Sequence, residues 1–135
     1  MTQYPKTGIV KELARQYRKP LQWIASSRED LRKFPKEVRQ EIGGALNEAQ
    51  IGGKHPKAKP LKGFHGSGVV EIADDYDGNT YRAVYTVRWF DVIYVLHAFQ
   101  KKSKRGIETP KSEIELVRRR LKLAEEDYQH REGTK

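Results

Sequence analysis

An α+β domain built on an antiparallel β-meander is predicted by three observations. Three strand-like runs follow one another within residues 69–99, two helical patterns come before them, and one helical pattern comes after. Strands grouped together, with helices at the ends, favour antiparallel pairing over the alternating crossovers of a parallel sheet.

Residues 1–19 are polar and basic, with weak helical spacing in Val10, Leu13, Ala14 and Tyr17, and read as an extension to a domain spanning residues 20–130. After Pro20, residues 21–25 form a first strand with buried Leu, Trp or Ile positions. Ser26 and Ser27 are helix N-caps, with Glu29 and Asp30 in the first turn, where negative charge meets the helix dipole. Phe34-Pro35 divides this helix from a second, because the residue before proline is pushed out of the α region. Val38, Ile42, Ala45, Leu46 and Ala49 share one side of the second helix, which ends at Ile51-Gly52-Gly53. Together the pair forms an αα-hairpin covering one sheet face. Gly43-Gly44 weakens the second helix and marks a place where another element could pack closely.

A loop over residues 54–62, carrying Lys54, Lys57, Lys59 and Lys62, leads into the meander. Its first strand, residues 69–73, is short and β-branched. The second, residues 81–88, alternates: Tyr81, Ala83, Tyr85 and Val87 belong to a buried face, and Arg82, Val84, Thr86 and Arg88 to a face that can meet something charged. The third, residues 92–99, is almost continuously apolar, as expected of a central strand covered on both sides. Residues 74–79 and 89–91 are the tight connections between them. Thr109-Pro110 opens a terminal helix, with Ile114, Leu116, Val117, Leu121 and Ala124 as its buried stripe. Arg118, Arg119, Arg120 and Lys122 cover much of its remaining surface, and the tail from His130 is expected to fray.

The chain holds 27 Lys and Arg against 18 Asp and Glu, a formal charge of +9, with a pI near 9.8. That balance favours phosphate-rich partners through counterion release. Zero cysteines exclude disulfides and thiolate metal sites, and His55, His65, His97 and His130 lack zinc-ligand spacing. No metal or other cofactor is expected. No apolar leader or membrane-length run is present, so the expected location is the cytoplasm, with no membrane partner.

The element order resembles the RelE/ParE toxin superfamily, and the local wording resembles its phage-derived HigB-like branch. The similar runs are residues 59–63 (KPLKG), 70–72 (VEI), 81–85 (YRAVY), 95–103 (VLHAFQKKS) and 109–114 (TPKSEI). They fall within a resemblance extending over residues 20–128. It implies a RelE-like fold and a type II toxin, held inactive by a cognate antitoxin of helix-turn-helix type, that cleaves mRNA on the translating ribosome.

Metal-free cleavage of RNA needs activation of a ribose 2′-hydroxyl, charge stabilisation at the attacked phosphate and a proton for the departing 5′-oxygen. RelE-like enzymes are thought to achieve this mainly with lysines and arginines, and this chain has that inventory. Arg82 is the expected phosphate clamp, suited by its forked donors, with Lys62 and Lys101 lowering the charge on the phosphate. Tyr85, His97 and a lysine of depressed pKa are the candidates for base or acid, and the sequence does not choose among them. Lys57, Lys59, Lys102, Lys104 and Arg105 are expected to contact the RNA backbone.

Each assignment has a structural counterpart. Arg82 could form a cross-strand ion pair with Glu71, strand parity sets Tyr85 opposite to Arg82, and His97 could be a satisfied core histidine. Single lysines could belong to solvated turns, and Trp23, Trp89 and Phe99 read as core. Two other functions compete with the nuclease: a non-catalytic ParE-like inhibitor of DNA gyrase, and a nucleic-acid-binding regulatory module. The sequence shows neither helix-turn-helix spacing in its terminal helix nor an aromatic-glycine RNA-binding pattern, which counts against the module.

Overall fold

The computed structural model describes residues 18–101 and 109–133, with side chains to residue 131. In chain order the elements are β1 (Leu21–Trp23), α1 (Ser27–Arg32), α2 (Lys36–Gln50), β2 (Ala58–Pro60), β3 (Val69–Tyr76), β4 (Asn79–Thr86), β5 (Ile93–Lys101) and α3 (Lys111–Gly133). They form one five-stranded sheet in the order β1-β5-β4-β3-β2. All neighbours are antiparallel except β1 and β5, which run parallel with Trp23 opposite Val95. This is the α+β, RelE-like architecture expected.

The β3–β4 hairpin turns on two residues, since Tyr76 pairs with Asn79, and Asp77 and Gly78 have φ of 50° and 79°. Positive φ at both central positions gives a turn whose twist matches the strands, and aspartate followed by glycine is a pair that accepts it. Sequence patterning ends β3 three residues too early and sets β4 two residues too late, because the residues of the polar connection still pair across the ladder.

The hairpin of α1 and α2 packs on one sheet face through Leu31, Phe34, Val38, Ile42 and Leu46, against Ile72, Tyr81, Ala83, Tyr85, Ile93 and Val95. On the opposite face α3 brings Val117, Leu121 and Ala124 onto Val69, Val84, Tyr94 and Leu96. Burying each large apolar side chain contributes about 1.5–3 kcal/mol. Strand β5 lies between β1 and β4 and is buried throughout residues 93–98, as a doubly covered central strand should be.

Four expectations need correction. The second face of β4 is not open, because α3 covers it and Arg82, Val84 and Thr86 are buried. Val87, assigned to the buried face, lies past the strand's end and is exposed. Gly43 and Gly44 neither break α2 nor mark a close approach, as added Cβ atoms would meet nothing within 4 Å. The lysine loop hides an edge strand, β2, whose Lys59 stands opposite Glu71. At Gly68 the requirement is absolute: φ is +67° and a Cβ would lie 2.4 Å from that of Arg88.

Candidate nucleic-acid interface

The register decides which cations meet. Across the sheet Ala73 pairs with Arg82, Arg82 with Phe99, Thr80 with Lys101, and Lys59 with Glu71. Paired residues in a ladder share a face and side chains alternate along a strand, so Lys59, Glu71, Arg82 and Lys101 all belong to the face that carries α3. A bulge at the Val84/Tyr85 step lets Val84 pair with His97 and Tyr85 with Val95. It leaves His97 on the α3 face and Tyr85 on the other.

Arg82 is the floor of a cleft of about 510 Å³ lined by Lys59, Lys62, Glu71, Thr109, Lys111 and Ile114 among others. The volume falls in the range of small-ligand sites. Arg82 is only 7% exposed. Its Nη1 donates to Glu71 Oε1 at 2.5 Å and to Thr109 Oγ1 at 3.3 Å, and Thr109 Oγ1 in turn donates to Glu71 Oε2 at 2.6 Å. The ion pair between Glu71 and Arg82 is thus present, and Thr109 tightens it. Thr109 spends its hydroxyl here rather than as a cap of α3, which the sequence pattern of Thr-Pro had suggested.

The other predicted residues divide. Lys59 and Lys62 are exposed at the cleft. Lys101 ends β5 on the same face as Arg82 but is itself buried, at 7% exposure. Lys57 lies elsewhere: its Nζ sits 3.2 Å from Asp74 and 3.5 Å from Glu41, and the hydrogen bond to Asp74 raises its pKa. Lys102, Lys104 and Arg105 lie outside the described residues.

Tyr85 is placed in the core beneath the hairpin, 1% exposed, with burial pushing its phenol up to about 12. It lines a different, mostly apolar cleft of about 440 Å³ together with Ala49, Val69 and Val70. The sheet therefore separates it from Arg82, as strand parity indicated, and Tyr85, one of the candidates for base or acid, does not stand beside Arg82.

His97 is buried in a polar network. Its Nε2 meets Glu113 Oε2, its Nδ1 receives Arg120 Nη1 at 3.2 Å, and its ring stacks on Phe99 with centroids 4.9 Å apart. Arginine can only donate, so Nδ1 must accept and the proton sits on Nε2, directed at Glu113. Burial is the largest influence on the imidazole and lowers its pKa, with Glu113 opposing. Arg120 also donates to Leu96 O at 3.0 Å and to Ser26 Oγ at 3.1 Å, while Ser26 Oγ donates to Asp30 Oδ2 at 2.7 Å. Rather than covering the outside of α3, Arg120 ties that helix to β5 and to the start of α1. Ser26 likewise stands at the N-cap position of α1 without a side-chain bond to the helix backbone.

Thr109, Lys111 and Arg120 were not singled out as site or network residues by the sequence. Thr109 carried a signal in the Thr-Pro pair but a different reading of it, and Lys111 stood in a helix start with no partner in view. Arg120 is one of three consecutive arginines, and only helix phase against β5 distinguishes it.

A profile of the phage-derived Gp49-like proteins (DUF891) matches residues 29–122, more than half of the chain. No curated protein matches the chain.

Proposed function

The chain belongs to the phage-derived Gp49-like family, and on that premise we propose that it is the toxin of a type II toxin–antitoxin pair, a metal-independent endoribonuclease that cleaves mRNA on the ribosome. The observation that carries this reading is the convergence on one cleft of Lys59 from β2, Lys62 from the turn that follows it and Arg82 from β4. Arg82 meets the attacked phosphate, with its guanidinium held in place by Glu71 and Thr109, so little ordering is needed when RNA binds. Lys62 and Lys59 lower the charge on that phosphate and on its neighbour. The 2′-oxygen attacks phosphorus, the 5′-oxygen departs with a proton, and a 2′,3′-cyclic phosphate remains. HigB-like membership, an antitoxin of helix-turn-helix type and a cytoplasmic site of action belong to the same proposal. An acidic antitoxin segment would be drawn to the basic cleft.

A second reading has its own support: a ParE-like, non-catalytic inhibitor of DNA gyrase. Of the acid–base candidates, neither Tyr85 nor His97 stands ready beside Arg82, since Tyr85 lies across the sheet and His97 is held between Glu113 and Arg120. Binding alone would need only the cations.

The two readings separate on induction of the chain in bacterial cells, with and without its neighbouring gene, followed by mapping of mRNA 5′ ends. New ends within translated frames, absent for Lys62→Ala, are the expected result. Growth arrest without new ends would sink the nuclease reading and favour gyrase inhibition, and no arrest would remove the toxin assignment.

A further inference from the structure

Helix α3 delivers Lys111 to the cleft that also holds Lys59, Lys62 and Arg82. We propose that Lys111 is a further phosphate-binding residue, and that the first turn of α3 is the second wall of a channel that grips an unpaired RNA strand. The proposal rests on the RNA-cleaving reading above and extends it to a residue outside the sheet.

Three observations converge. First, Lys111 is exposed and, like Lys59, makes no ion pair or hydrogen bond among the described residues, whereas Lys57 is neutralised by Asp74 and Glu41. Among the described residues the one carboxylate lining the cleft, Glu71, is already engaged by Arg82 and Thr109. Like charges facing one another over a cleft repel, and a polyanion entering between them relieves that repulsion. Second, Lys111 is the first residue of a 23-residue helix. A cation there opposes the helix dipole, so Lys111 is badly placed to stabilise α3 and its position calls for another reason. Third, three other exposed cations of α3 have carboxylates nearby: Arg118, Arg119 and Lys122 border a surface hollow that also holds Glu115 and Glu125, the latter paired with Arg88.

A cleft of about 510 Å³ with a floor as buried as Arg82 admits one backbone. A double helix is too wide to reach that floor, so the strand it takes is unpaired, and its flanking phosphates lie against Lys59, Lys62 and Lys111.

The test is fluorescence anisotropy of the full chain with a labelled single-stranded RNA made of 2′-O-methyl nucleotides, which cannot be cleaved, over a series of salt concentrations. Lys111→Ala should weaken binding several-fold and reduce the slope of log K against log salt by about 0.7, one phosphate contact on a single strand. Lys111→Glu should weaken it further while leaving the melting temperature unchanged or raised, because a carboxylate suits the helix start. Lys122→Ala should change neither affinity nor slope. Unchanged affinity and slope in both Lys111 variants, with Lys62→Ala weakened, would overturn the assignment of Lys111 alone. Absence of binding by the wild-type chain would also overturn it, since a two-walled cleft must hold a strand unaided, and would leave the ribosome-dependent reading to the mapping of mRNA ends.

Discussion

The two faces of the sheet are built from different materials. Beneath α1 and α2 the contacts are almost wholly apolar, with Val38, Ile42, Ala45, Ala83 and Val95 at 0% exposure. Beneath α3 the apolar patch of Val84, Leu96 and Val117 gives way toward one end to Arg82, His97 and Lys101, all buried and all charged or titratable. An apolar face is stable without specification, since many side chains of suitable size would fill it. Buried charges cost desolvation energy and are kept where they are paired or where they act. The hairpin face holds the fold by apolar contact, while the α3 face also buries ion-paired and titratable groups, the ones to which the proposed function assigns a role.

The sharpest way to break that contrast is Arg82→Ala. Removing one partner of a buried ion pair strands the other, so about 3–5 kcal/mol of stability should be lost, measurable by urea denaturation. Loss of RNA cleavage in this variant would therefore be ambiguous by itself. Combining Arg82→Met with Glu71→Leu removes both charges and should recover most of the stability while activity stays absent. Recovery of activity along with stability would make the pair a structural device only.

On the hairpin face, Ile42→Ala should cost about 2–5 kcal/mol through lost burial and a residual cavity. Activity per folded molecule should not change, as read by mRNA cleavage normalised to folded fraction. A drop in specific activity would show that the two faces are coupled.

A smaller effect concerns pH. Burial holds His97 neutral and its pKa below the ordinary 6.5, so the unfolded chain takes up this proton first. The stability that depends on neutral His97 is full above about pH 6.5 and declines as pH falls from there toward the lowered folded value. Glu113, Arg120 and Asp30 surround the ring electrostatically and set the size of that decline. His97→Phe should flatten the stability profile between pH 5 and 6.5, monitored by thermal melts in matched buffers. An unchanged slope would assign the pH dependence to another group.

The smallest effect is expected outside both faces. Lys57→Ala removes exposed ion pairs to Asp74 and Glu41 and should change stability by less than about 1 kcal/mol. RNA binding should also be unaffected, and a loss of it would restore Lys57 to the interface.

Periodicity and turn chemistry determined most of the architecture: the Phe34-Pro35 break, the apolar stripe of α2, the Asp77-Gly78 turn and the continuously apolar β5 are local properties, readable from neighbours along the chain. The inventory of cations and the Glu71 alternative for Arg82 were legible as well, because cross-strand pairing follows from alternation once strands are placed. What only the tertiary structure decided is where α3 lands. Its position buries the second face of β4, turns Arg120 inward to His97, brings Thr109 onto Glu71 and sets Lys111 in the same cleft as Lys59 and Lys62. Helical spacing states which residues share a side of a helix, but the phase of that side against a sheet depends on packing with residues dozens of positions away. The parity of β4 likewise set Tyr85 apart from Arg82, while the bulge at Val84/Tyr85 that aligns His97 with Val84 leaves no mark in the pattern of apolar residues.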